Sequence, residues 1–178
     1  MNKRVSASNV HVKKEMYQAL LKLLEEKSIS AIRVSDITTE AHVSRMSFYR
    51  NYDSVEEILT EHLELVVEQY KKEDMDIAVE KTEDVFYAKK YMTHCFRFFF
   101  GHHTFIDTLI SCGMGDLFLS KITEYLVKKW VNRESGTRAD VLKISAYAGS
   151  VYNIYREWKK DGFQEKPEEI ADILYHFQ

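Results

Sequence analysis

The sequence predicts an all-α fold of about nine helices. Three observations carry that prediction. The 178 residues hold one proline and six glycines, too few to punctuate a many-turned β protein. Apolar side chains recur every three or four residues along most of the chain, the period of a helix face and not of a strand. Serines and a capping-box pattern stand where these periodic segments begin, and glycines stand where two of them end. With 45% hydrophobic and 30% charged residues, there is enough apolar material for a sizeable core without covalent staples.

In chain order, the segment from Val10 to Lys27 puts Met16, Leu20, Leu23 and Leu24 on one face and Lys14, Glu15, Gln18, Lys22, Glu25 and Glu26 on the other, which predicts a first helix. Ser35 is expected to cap a short helix from Asp36 to Ala41, with the aspartate favourably placed in its first turn. Ser44 is expected to cap a third, from Arg45 to Tyr52. Ser54-Val55-Glu56-Glu57 reads as a capping box opening a fourth helix to about Lys72. The charged run from Lys71 to Asp84 predicts a loop, and Asp84 to Phe100 a helix ended by Gly101. Helices are then expected over Thr104 to Cys112, Asp116 to Val131 and Arg138 to Lys160, with a loop over Asn132 to Thr137 and Gly162 at a helix C-terminus. Pro167 opens the last helix, whose apolar stripe is Ile170, Ile173, Leu174 and Phe177.

The net charge is −3 and the isoelectric point about 6.2, which excludes a chain that is polybasic throughout. The distribution is uneven. Through Tyr52 there are nine basic and five acidic residues, a local balance of +4, whereas the remainder carries 16 basic and 23 acidic residues, a balance of −7. Positive charge is needed only where phosphates lie, so a functional boundary is placed near Asp53, giving domains 1–53 and 54–178. Within the basic part, two short helices joined by Ala41-His42-Val43-Ser44 make a helix-turn-helix. Ile37 and Ala41 are its inward anchors, Val43 fills the turn, and Phe48 and Tyr52 pack the second helix on the first helix of the chain. That leaves Arg45, Met46, Ser47, Tyr49, Arg50 and Asn51 facing double-stranded DNA.

The run Ile32-Arg-Val-Ser-Asp-Ile-Thr-Thr-Glu-Ala-His-Val-Ser-Arg-Met-Ser-Phe-Tyr-Arg-Asn-Tyr-Asp-Ser resembles the signature of the TetR/AcrR family of transcriptional regulators, over roughly residues 10 to 60. The resemblance implies a homodimer with an N-terminal three-helix DNA-binding domain and a C-terminal helical domain for dimerisation and effector sensing. It implies that the helix after Ser44 is the recognition helix, that Tyr49 holds phosphate, and that Ser35 does likewise. It also implies a repressor released from a palindromic operator by a small molecule; a co-regulator acting through a protein partner is the alternative. Three positions depart from the family pattern. His42 replaces the turn glycine, where a left-handed backbone is wanted. Val55 replaces a phosphate-binding lysine, which shifts weight onto Lys3, Arg4, Arg45 and Arg50. Asn51 takes the place of a frequent histidine.

In the C-terminal part, Leu142, Ser145, Ala146 and Gly149 form a stripe whose small residues suit close helix approach. With Ile170, Ile173, Leu174 and Phe177 it predicts a four-helix dimer interface, although both stripes could instead close the protomer's own core. Aromatic density from Phe86 to Trp130 suggests either a core or a ligand pocket, and Tyr91, Cys95, Phe99 and Tyr147 are the expected pocket residues. No cofactor, metal site or enzymatic role is expected. The histidines lack metal-ligand spacing, Cys95 and Cys112 are too few for a disulfide framework or a Cys-rich zinc site, and neither a nucleophile elbow nor a phosphate-binding glycine loop occurs. Gly101, His102, His103 and Asp107 interrupt the most apolar stretch, so no membrane span is expected. The two cysteines and the polar N-terminus, which lacks the apolar core of a secretion leader, suit a cytoplasmic protein.

Overall fold

The computed structural model describes residues 7–75, 89–131 and 136–176. Among them are nine α-helices, one short 3-10 turn at Ile29–Ala31 and no strand. The helices are α1 (Ala7–Leu24), α2 (Val34–Glu40), α3 (Arg45–Asn51), α4 (Glu56–Met75), α5 (Lys89–Gly101), α6 (His103–Ser111), α7 (Gly115–Trp130), α8 (Arg138–Lys160) and α9 (Pro167–His176). The chain divides into two compact units, residues 1–66 and 67–178. The division falls inside α4, further along than the change of charge near Asp53.

In the first unit, α1, α2 and α3 pack on one another around Met16, Leu20, Ile37, Phe48, Ile58, Leu59 and Leu63, all buried to within 1%. Each such side chain contributes about 1.5–3 kcal/mol by leaving water. Leu23 and Leu24 are half-buried at the edge of this core. α2 starts at Val34, two residues earlier than a Ser35 cap requires. Ser35 lies within the first turn, and the Asp36 carboxylate accepts the Arg33 backbone N–H at 3.0 Å instead. Ser44 caps α3 as expected, its Oγ accepting the Ser47 N–H at 3.1 Å. At the start of α4, Ser54 Oγ accepts the Glu57 N–H, while the Glu57 carboxylate reaches back to the N–H of Asp53 and not of Ser54.

In the second unit, α5 packs along α9, α7 along α8, and α6 against α5 and α7. Lys71 to Met75 continue α4, so the predicted loop does not begin at Lys71; its remainder, and residues 84–88 of the next predicted helix, lie outside the described residues. α8 ends at the expected glycine. Gly162 adopts φ +70° and donates to the Lys159 carbonyl at 3.0 Å, and Phe163 donates to the Trp158 carbonyl at 2.9 Å, the paired bonds of a Schellman cap. Pro167 begins α9, where the Glu169 carboxylate accepts the Lys166 N–H at 2.7 Å. Within the protomer, a Cβ at Gly149 would meet nothing within 4 Å. The close approach inside the protomer is at Gly115, where a Cβ would stand 2.3 Å from the Tyr152 hydroxyl.

No helix among the described residues is long and apolar enough to cross a membrane, and no group of three His, Cys, Asp or Glu side chains there could hold a metal ion.

Candidate nucleic-acid interface and internal cavity

α2 and α3 form the helix-turn-helix, and the turn is set by backbone conformation. His42 sits at φ +53°, the left-handed region its position calls for, and Val43 closes the turn by donating to the Thr38 carbonyl at 3.0 Å. α3 is then anchored from one side. Phe48 is fully buried and Tyr52 is 5% exposed, and the Tyr52 hydroxyl donates to Glu61 of α4 at 2.5 Å. Glu61 also takes the ammonium of Lys13 from α1, so one carboxylate joins α1, α4 and the end of α3. Burial, followed by the Glu61 hydrogen bond, raises the Tyr52 pKa far above its ordinary value, which keeps the hydroxyl a donor.

The opposite side of α3 is left to solvent. Met46 is 72% and Tyr49 58% exposed, and Arg45 and Arg50 are exposed with no ion pair among the described residues. Three lysines of this unit differ: Lys13 pairs with Glu61, Lys22 with Glu40 and Lys27 with Asp36. Among the described residues of this unit, Arg45 and Arg50 of α3 thus remain without an ion pair, as does the exposed Lys14. Ser47 is half-buried against the Ser44 hydroxyl at 3.0 Å, and the Asn51 amide donates to the Ser47 carbonyl at 2.8 Å. These two side chains, with Ser44 at the cap, are engaged in the helix itself. Ser35 is half-buried on α2. Val55 is 7% exposed, so its position serves the core and not a phosphate. Lys3 and Arg4 lie outside the described residues.

The second unit holds a small cavity of about 20 Å³, lined by Tyr70 and Asp74 of α4, Tyr91 and Cys95 of α5, Trp130 of α7 and Tyr147 of α8, with aliphatic side chains behind them. Three of the four expected pocket residues meet here. Phe99 does not: it is 1% exposed and packs on Phe118 and Tyr155, with centroids 5.3 and 5.8 Å away. Burial pushes the Cys95 thiol up to about 12 and also raises Tyr147, so both stay neutral. Asp74 is 2% exposed. Its Oδ2 receives the Tyr125 hydroxyl and the Lys129 ammonium, whereas its Oδ1 has no hydrogen-bond partner. The Lys129 nitrogen lies 4.6 Å from the Tyr91 ring centroid and 4.5 Å from that of Trp130.

The predicted interface stripes separate. On α8, Leu142 is 53% exposed, Ser145 and Ala146 are exposed, and Gly149 is half-buried. On α9, Ile170 and Leu174 are buried at 5% and 2%, facing the protomer's own core where α9 packs on α5. Ile173 remains 59% exposed, and Phe177 lies outside the described residues.

A Clostridium perfringens protein assigned as a fatty acid metabolism regulator has a similar structure, with a TM-score of 0.61 and 19% identity over 90% of this chain and 94% of that one. The fatty acid degradation regulator FadR from Bacillus halodurans gives a TM-score of 0.60 and 12% identity over 98% of this chain and 95% of that one. The likeness is one of fold. No protein-family model matches the chain, and neither does any curated protein sequence.

Sequence reasoning missed Asp74, Lys129, Trp130 and Glu61. Asp74 stands at the end of a face running through Leu63, Val66 and Tyr70, all buried, but it also falls within the charged run from Lys71 that suggests a loop. Glu61 carries no sequence signal beyond its charge.

Proposed function

We propose that the chain is a DNA-binding transcriptional regulator of TetR type, acting as a homodimeric repressor that a small-molecule effector releases from a palindromic operator. The observation that carries this reading is α3 itself: capped by Ser44, anchored through Phe48 and Tyr52, and presenting Arg45, Met46, Tyr49 and Arg50 to solvent with both arginines unpaired. Arginine reads guanine edges bidentately and neutralises phosphate, and a tyrosine hydroxyl bonds phosphate oxygens. Lys3 and Arg4 add two positive charges to the same part of the sequence, and Ser35 in the first turn of α2 offers a phosphate contact. The fold likeness to two proteins described as regulators of fatty acid metabolism or degradation supports a regulatory role over an enzymatic one.

One short recognition helix reads few base pairs, so specificity comes from two of them in half-sites a helical turn or a multiple apart. The α8 stripe of exposed Leu142, Ser145 and Ala146 and half-buried Gly149, with Ile173 of α9, is the surface through which two copies pair. Residues 54–178 sense the effector. An effector acts by preferring a dimer geometry in which the recognition helices no longer match the half-site spacing, and α4 is the continuous element joining the units. The test is a fluorescence-anisotropy titration against duplex from the protein's own upstream region beside a scrambled duplex. Selective binding with two protomers per site is expected; equal weak binding to both duplexes would overturn the reading.

A further inference from the structure

Deepening the effector reading above, we infer that the cavity of the second unit is the closed form of a site for an organic ammonium, whose head replaces Lys129 between Asp74 and the rings of Tyr91 and Trp130. Asp74 is 2% exposed, lines the cavity and keeps one carboxylate oxygen without a donor. A buried acceptor left unmatched carries a desolvation cost that an incoming N–H group removes. Aromatic faces add a preference of sign, since the ring quadrupole attracts cations. The chain's own ammonium already shows the fit. Lys129 binds Asp74 Oδ2 and lies within 5 Å of two ring centroids.

The closed cavity, about 20 Å³, holds about one water, so a ligand enters only by moving part of the wall. The inner wall of Tyr70, Cys95, Ile122 and Leu126 is buried. The outer wall is made of Tyr91, Lys129 and Trp130, all half-buried, and changes of their rotamers widen the site without disturbing the core. The Lys129 side chain is long and 19% exposed, so its ammonium can withdraw to water. A ligand cation then takes its place and charge stays balanced. Two ammonium groups around one carboxylate would repel, so ligand and Lys129 compete. A fatty carboxylate would instead bring a second negative charge to an oxygen that already lacks a donor, which disfavours acid ligands of comparable size.

Isothermal titration calorimetry with n-hexylammonium and with hexanoate, ions of opposite charge on similar alkyl chains, tests this without DNA. Wild-type protein is expected to bind hexylammonium and not hexanoate. Lys129→Met is expected to tighten hexylammonium about tenfold by removing the competitor, and the pair Asp74→Asn with Lys129→Met to abolish binding while keeping the site neutral. Hexanoate binding as well as hexylammonium, or no binding of hexylammonium to folded wild-type protein, would overturn the inference. The wild-type titrations decide even where Lys129→Met does not fold. Protein that binds its upstream duplex but takes no ammonium defeats this inference alone; protein that takes ammonium but no duplex defeats the regulator reading alone.

Discussion

In the first unit, carboxylates hold lysines near the surface, as Glu61 does Lys13, Glu40 does Lys22 and Asp36 does Lys27, and the arginines of α3 are left unpaired. In the second unit a carboxylate is drawn inside: among the described residues, Asp74 is the only charged side chain below 9% exposure, and its counter-ion Lys129 reaches in from a half-buried position. The contrast separates two uses of charge. Pairs at the surface are individually weak. A pair that has shed its water is sensitive to small changes in what surrounds it, and so suits the discrimination of a small molecule.

The contrast within α3 itself makes the largest prediction. Phe48→Ala should lower unfolding free energy by about 3–5 kcal/mol in urea denaturation, since it empties a fully buried site. Arg50→Ala on the opposite face should leave stability unchanged. Equal effects of the two would show that α3 is not oriented as described.

Between the units, Lys129→Met should cost about 3 kcal/mol by leaving Asp74 buried without its counter-charge, while Lys22→Met, which removes an exposed pair with Glu40, should not move the denaturation midpoint measurably. A smaller and more specific effect is expected at the contact of α7 with α8. Gly115→Ala should destabilise by about 1–3 kcal/mol through overpacking on the Tyr152 hydroxyl, and adding Tyr152→Phe, which deletes that hydroxyl, should return most of the loss. Failure of the second substitution to rescue the first would place the strain elsewhere.

The smallest effect concerns pH. Burial lowers the His94 pKa below its ordinary 6.5, so the unfolded chain takes up this proton at higher pH than the folded one. The His94 contribution is therefore complete above 6.5 and is lost as pH falls through that value towards the folded pKa. His94→Gln should flatten that part of the stability profile measured by denaturation at successive pH values.

Helix α3, with its cap and its anchors, was legible in the sequence because everything that defines it is local. The Ser44 cap acts three residues away, Phe48 and Tyr52 lie four apart, and His42 sits at the turn between adjacent helices. The cavity was legible only in part. Tyr91 and Cys95 share a helix face that periodicity reveals, but the same rule drew in Phe99, which turns to Phe118 and Tyr155 instead. Asp74 was hidden because its burial depends on Tyr125 and Lys129, distant in sequence, and it stands among the charged residues Lys71, Lys72, Glu73 and Asp76. The stripe of α9 was visible as a stripe, yet periodicity shows that a face is apolar and not what covers it; Ile170 and Leu174 are buried in the protomer's own core, where α9 packs on α5.

The central claim is that α3 meets a polyanion through its unpaired arginines. It is tested most directly by measuring operator affinity across salt concentrations for wild-type protein and for Arg50→Ala. Removing one arginine–phosphate interaction from each protomer should weaken binding to all sequences and reduce the slope of log affinity against log salt by about 0.9 per phosphate released. An unchanged slope and affinity, with helical content and oligomeric state intact, would contradict the claim.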